Sequence, residues 1–389
     1  MKLRHLAAAL AVAAGMGAAH AADRIKVGLL STLSGPGGSL GAEIRDGFQL
    51  ALKHLGGKLG DLPVELSVID DQQNPDAARQ AVDRLLKRER VDVMTGIVFS
   101  NVLLPVMPAI LAGDTVYLST NTGPADYAGE KCHKNFFAVA WQNEDIPAAI
   151  GQFVSDKGHK SVFLIAPNYP GGRESIHGFK RLYKGSIADE VYVKLGQLDF
   201  SSELARLRAS GADAAFFFLP GGMGASFIKQ LVAAGLNRNV TLYAPGFSGD
   251  QDTIKAVGEP MLGMFNASQW AADLPGEANR RFVADFEKTY GRIPTLYASQ
   301  GYDAAMLLDG AVRGVGGRIE DKDALRKALR AANFQSVRGD FRFNTNQYPI
   351  QNYYLRVVAR DAQGRISNKT LETILTNYQD PFAPACRMP

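Results

Sequence analysis

Residues 25–52 read IKVGLLSTLSGPGGSLGAEIRDGFQLAL, and this stretch decides the fold class. Ile25–Leu30 is a short apolar run, the length of a buried strand. A loop with Gly35, Gly37, Gly38 and Gly41 follows it. Beyond the loop, Ile44, Phe48, Leu52 and Leu55 recur at helical spacing and form one apolar stripe. A buried strand, a glycine loop and an amphipathic helix in that order make the first half of a βαβ unit.

The unit repeats outward. Val64–Ile69 predicts a second strand, and Asn74-Pro75 opens the next helix with Asn as cap and Pro in the first turn. Val91–Val98 predicts a third strand. Ser100 or Asn101 then caps a helix carrying Pro105 and Pro108, and Thr115–Leu118 predicts a fourth strand. After Trp141 the pattern restarts, with strands over 161–166, 190–194, 214–219 and 240–244. Helices are predicted over 172–183, 201–209 and around Phe227, Ile228, Leu231 and Val232. The last third carries helical patterns over 280–290, 302–315 and 321–332, and strands over 341–343 and 353–358. Strands alternating with helices imply parallel, doubly wound sheets, and the restart implies two similar α/β lobes. No Pro/Ser-rich linker separates them, so several short crossings are expected.

Composition excludes other classes. Of 389 residues, 46% are apolar and 21% charged, which supplies a large core and excludes disorder. Lys+Arg is 43 against 39 Asp+Glu, and a net +4 offers no basic field for nucleic acid. Lys2 and Arg4, the apolar run Leu6–Ala19 and Ala19-His20-Ala21 predict a secretory signal over residues 1–22, cleaved near Ala21 or Ala22. The run is too short to span hydrocarbon. In an oxidising compartment the only two cysteines, Cys132 and Cys386, are expected to pair, the alternative being two buried thiols. Chain entropy would credit so long a loop with about 4–5 kcal/mol.

Catalytic signatures are missing from the sequence. It holds no Gly-x-Ser-x-Gly, Walker A, His-Glu-x-x-His or Cys-x-x-Cys motif. The Gly35 loop fails as a dinucleotide fingerprint because Leu40 stands where the third glycine belongs. Asp70 and Asp71 serve equally as turn residues. Neither an enzyme, a cofactor nor a metal site is expected.

Ligands of open α/β sheets bind beyond the carboxyl ends of the strands. The loops there contain Ser34, Phe99, Ser100, Asn101, Ser119, Asn121 and Thr122 in the first lobe, and Tyr169, Met223 and Phe247 in the second. Hydroxyls and amides at helix starts suit a carboxylate. Aromatic neighbours suit a flat apolar body. Taken singly, Ser100 reads as a helix cap and Phe99 as core.

Three further stretches join residues 25–52: VIDDQQNPDAARQAVDRLL (68–86), Gly-Ile-Val-Phe-Ser-Asn (96–101) and QGYDAAMLLDGAV (300–312). Together they resemble the type I periplasmic solute-binding proteins of ABC importers, the family that includes leucine/isoleucine/valine-binding proteins. The resemblance implies two α/β lobes joined by three hinge crossings. Residues 23–141 with 271–336 would form lobe one, and 142–270 with 337–389 lobe two and a C-terminal tail. It implies a carboxylate site at Ser100 and the Ser119–Gly123 loop, and aromatic contacts at Tyr169 and Tyr297, with Tyr302 close by. Amino-acid binders of the family hold the ligand's ammonium with an acid after the last lobe-two strand, where this chain has Phe247, with Asp250 as a substitute. Residues 119–125, 128–132 and the ending Ala-Cys-Arg-Met-Pro resemble a branch that takes aromatic carboxylates and in which the two cysteines pair. The resemblance thus implies a monomeric periplasmic receptor that closes on a small carboxylate, an aromatic acid first, and delivers it to a membrane permease. A branched-chain or other neutral amino acid is the alternative ligand, and a sensor for a signalling partner the alternative role.

Overall fold

The computed structural model describes residues 22–388. The signal predicted over residues 1–22 therefore lies, except for Ala22, outside the described residues. Two sheets organise the chain. The first joins β1 (Ile25–Ser31), β2 (Lys58–Leu59), β3 (Leu62–Asp70), β4 (Val93–Thr95), β5 (Val116–Ser119) and β6 (Phe136–Ala138) in the order β2-β3-β1-β4-β5-β6. All neighbours are parallel except the β2–β3 hairpin. The second sheet contains β7 (Val162–Pro167), β8 (Ile187–Val193), β9 (Ala214–Phe217), β10 (Thr241–Pro245), β11 (Phe265–Ser268), β12 (Arg342–Phe343), β13 (Pro349–Arg360) and β14 (Ile366–Tyr378). Its order is β12-β13-β11-β10-β9-β7-β8, with β14 on the outer side of β13. Strands β7 to β11 run parallel, and β12 to β14 add an antiparallel edge.

Two α/β lobes are thus present, joined by three crossings of the chain: after β6, after β11, and from the helix Lys322–Ala331 into β12. The helix Leu296–Gly314 returns to the first lobe and packs along Gly38–His54. The two helices approach so closely that a Cβ on Gly47 would stand 2.0 Å from the Ala298 carbonyl oxygen, and one on Gly301 2.0 Å from that of Ile44. Only glycine fits either position. The contact fixes the start of the returning helix, and Tyr297 with it.

The structure corrects several sequence boundaries. The helix expected from Tyr302 begins at Leu296, because the Thr295 hydroxyl caps it by accepting from the Ala298 amide at 3.3 Å. The strand expected over 91–98 pairs only at Val93–Thr95, since Gly96 turns the chain at φ +104°. Strand β14 was not expected. Most of its residues are exposed or half-buried, so its sequence lacks the apolar alternation that betrays a strand. Asp70 and Asp71 are turn residues: they accept from the amides of Gln72 and Gln73, and Asp71 also from the Thr32 hydroxyl at 2.6 Å.

Candidate functional site

Loops at the carboxyl ends of both sheets face one another across a narrow cavity of about 30 Å³. Ser100 opens the helix Ser100–Leu111 just beyond β4, but it does not cap it. The cap position is Phe99, which makes no side-chain cap bond. The Ser100 hydroxyl turns instead to Thr122, in the loop after β5, at 2.6 Å. Asn143, in the crossing after β6, donates from Nδ2 to both hydroxyl oxygens at 3.3 Å, while its Oδ1 accepts from the Gly123 amide at 2.7 Å. Asn121 lies beside them and anchors its own loop on the Val98 carbonyl.

The second lobe supplies a facing helix start. Pro170–Leu182 opens directly after Tyr169, and Gly171 lies so near that an added Cβ would be 3.1 Å from Ser100 Oγ. First-turn amides have no acceptor inside their own helix. Two helix amino ends therefore converge on the Ser100–Thr122–Asn143 cluster, one from each lobe, and both favour an anion.

The rest of the cavity is aromatic. Tyr169 packs edge-on to Phe99 with ring centres 6.2 Å apart and stacks on Phe218 at 6.3 Å. Phe247 lies 4.8 Å from Trp141 and 5.5 Å from Phe218. Tyr297 donates to the Phe247 carbonyl at 3.4 Å. Burial pushes the Tyr169 and Tyr297 hydroxyls far above their usual range, so both stay neutral. Among the described residues no Asp, Glu, Lys, Arg or His lines this cavity.

Asp250, the possible substitute acid, is committed elsewhere. It accepts from the Leu296 amide at 2.5 Å and from Asn368 Nδ2 at 3.2 Å, and pairs with the buried Arg356 at 3.4 Å. It ties the second lobe to the returning helix and does not line the cavity.

Seven sequence-derived residues come together here: Phe99, Ser100, Asn121, Thr122, Tyr169, Phe247 and Tyr297. Five do not. Ser34 is exposed beside Asp70. Asn101 points to a separate surface hollow with Asn168 and Tyr192. Ser119 is buried behind the loop it braces, donating to the Thr122 carbonyl. Met223 belongs to the second-lobe core, where its sulfur accepts from the Gly196 amide. Tyr302 lies one to two turns beyond Tyr297 and bonds His54 at 2.9 Å. Sequence reasoning missed Leu40, Trp141, Asn143, Gly171, Phe218 and Pro220. Phe218 lies inside the apolar run expected as strand over 214–219, whereas β9 stops at Phe217. Trp141 and Asn143 follow a three-residue strand that carries almost no signal.

A wider, more open groove adjoins this cavity on the outer side, lined by Glu43, Arg292, Asp252, Lys255 and Arg365 among others. The loops carrying Pro36 and Gly222 separate the two spaces, and the Gly222 amide donates to the Pro36 carbonyl at 3.2 Å. The groove mixes both signs of charge and opens to solvent, so it lacks the aromatic enclosure of the inner cavity.

The model of a family described as periplasmic binding protein matches residues 24–364. The chain belongs to the periplasmic binding protein family. The family is one of solute-binding proteins, not of enzymes. Among curated relatives, Leu/Ile/Val-binding protein homolog 6 of Brucella abortus is 28% identical, over 94% of this chain and 95% of that protein. A solute-binding protein of an ABC transporter from R. palustris, solved in complex with benzoate, is 30% identical with a TM-score of 0.88, covering 94% of this chain and 100% of the other. A second, from Rhodopseudomonas palustris BisB5 in complex with 3,4-dihydroxy benzoic acid, is 26% identical with a TM-score of 0.85, covering 92% and 99%. This periplasmic binding protein also contains the Cys132–Cys386 disulfide, with Cα atoms 5.6 Å apart. Among its described residues no helix is long and apolar enough to cross a membrane.

Proposed function

We propose that this protein is the periplasmic receptor of an ABC importer, that it captures an aromatic monocarboxylate between its lobes, and that it delivers the ligand to a membrane permease. The carboxylate would sit between the two helix starts, taking the free hydroxyl hydrogen of the Ser100–Thr122 pair. The ring would lie among Phe99, Tyr169, Phe218, Trp141 and Phe247. Binding begins on one lobe, and the second lobe docks on the ligand and excludes water. The closed form gains only what the added contacts supply. The single observation that carries this reading is the absence of an acid from the cavity lining, with Phe247 in place of one and Asp250 already bonded. An amino acid's ammonium buried here would have no counter-charge, which costs several kcal/mol. The benzoate and dihydroxybenzoate complexes of the two relatives support the same choice.

Differential scanning fluorimetry followed by calorimetry tests it. Benzoate, 4-hydroxybenzoate or phenylpyruvate should raise the melting temperature, and leucine should not. Stabilisation by leucine with none by the aryl acids would reject the aromatic reading in favour of a neutral amino acid.

A further inference from the structure

Carboxylate capture leaves Glu174 without a role, and its position argues for one. It stands in the second turn of the helix Pro170–Leu182, one turn beyond the end that faces the cavity. Its Oε1 accepts from the Ala125 amide at 2.9 Å, and its Oε2 from Asn143 Nδ2 at 2.5 Å. Ala125 follows the Ser119–Gly123 loop of the first lobe, so this carboxylate of the second lobe bonds across the cleft.

Hydrogen counting shows what the bond does. Asn143 Nδ2 has two hydrogens. One goes to Glu174, and the other is shared between Ser100 Oγ and Thr122 Oγ1. Asn143 Oδ1 is held by the Gly123 amide, so the side-chain amide cannot turn over without losing bonds at both ends. Ser100 and Thr122 use one hydroxyl hydrogen between them and keep one for an outside acceptor. Glu174 thus sets the orientation of the group that leaves one hydroxyl hydrogen, beside the helix-start amides, for the ligand.

A bound carboxylate would then lie one amide group away from the Glu174 charge. The other groups facing Glu174 do not relieve it. Glu144 and Asp126 are acidic, and Tyr169 and Tyr348 are buried neutral phenols. Glu144 is engaged by Arg181 at 2.6 Å and His177 at 2.9 Å, and Asp126 by Lys131 at 2.7 Å. No basic side chain among the described residues pairs with Glu174 itself.

We propose that Glu174 is a positioning residue that couples capture of a carboxylate ligand to uptake of a proton by the protein. The inference rests on carboxylate capture as read above. Burial already pushes the Glu174 carboxyl up to about 7, against the two hydrogen bonds that favour its ionised form. A second negative charge nearby raises it further. Protonated, the carboxyl keeps acceptor capacity for Asn143 and Ala125. The sign follows: the ligand binds best to the protonated form, so affinity falls as pH rises through neutrality.

Calorimetry on the purified protein tests this between pH 6.0 and 8.5, in paired buffers of different ionisation enthalpy, with benzoate and with leucine as probes. The wild type should take up a proton fraction near pH 7 and bind roughly tenfold more weakly at pH 8.5 than at pH 6.5. Glu174→Gln should bind without proton uptake and with a flat profile. Glu174→Asp should restore part of the slope, and His177→Ala should leave the uptake intact. A flat wild-type profile, or wild-type uptake in Glu174→Gln, overturns the proposal. Should the Gln variant fold poorly, the wild-type proton count together with the Asp variant decides. Leucine binding without benzoate binding rejects the aromatic reading while still judging Glu174 on its proton count, and binding of neither overturns both.

Discussion

At the scale of single residues, Ser100 shows how one hydroxyl gains chemical meaning from its neighbours. A serine at a helix start ordinarily accepts from a backbone amide two or three residues on. Here the hydroxyl is spent on Thr122 and Asn143 instead, which leaves the first-turn amides free for an anion. Ser100→Ala should therefore weaken benzoate binding about ten- to a hundredfold, the range of a hydrogen bond to a charged group. The protein should still fold, because no cap is lost. Calorimetry of the variant checks it, and an affinity equal to wild type would remove Ser100 from the site. Phe247 makes the complementary point. Its ring lines the cavity, and its contacts with Trp141 and Phe218 are those of a wall.

At the scale of elements, the glycine loop after β1 acts as one lip of the cleft. Pro36 in that loop meets Gly221–Gly222 of the second lobe through a backbone hydrogen bond. Gly221 has φ +63°, and a Cβ there would stand 2.7 Å from the Pro36 carbonyl oxygen. Gly221→Ala should weaken ligand binding about five- to tenfold, from the clash that arises only when the lips meet; the backbone strain of a Cβ at φ +63°, ψ −134° should instead lower stability by about 1–3 kcal/mol. The loss should fall on the dissociation rate, since the first encounter needs one lobe alone. Stopped-flow fluorescence separates the two rates, and an unchanged dissociation rate would mean that this contact does not hold the lips together. The elements that carry the site were mostly legible in sequence. Residues 25–52 hold a strand, a loop and a helix whose periods differ plainly, so β1 and its helix follow directly. What escaped has a physical cause in each case. Phe218 was absorbed into an all-apolar run whose period cannot show where pairing stops. Trp141 and Asn143 follow a strand of three residues. The helix expected from Tyr302 starts earlier: its apolar stripe is strongest in mid-helix, while Thr295 sets the true start.

At the scale of the whole molecule, the disulfide and its neighbouring hydrogen bonds touch neither lip of the cleft. Strand β14 ends in the second sheet, and the tail then returns to the first lobe. Asp380 accepts from Asn346 Nδ2 at 2.9 Å and from the amides of Phe382 and Ala383, while Asn346 donates to the Ala128 carbonyl at 2.8 Å. Cys386 then bonds Cys132 in the turn that leads into β6. These contacts gather around the β12–β13 turn near Gln347, which donates to the Phe136 carbonyl at 2.5 Å, and none involves the Pro36 or Gly221 lips. The bond closes a loop across 254 residues, so its removal frees a large part of the unfolded chain. Replacing both cysteines with serine should lower stability by about 2–4 kcal/mol, less than the loop-entropy value because the tail keeps its other anchors. Ligand affinity should change by less than about threefold, since the additional freedom belongs mainly to the unfolded ensemble. Urea denaturation and calorimetry on the same variant give both numbers. A loss of affinity as large as the loss of stability would show instead that the tail holds the lobes in the geometry that binds.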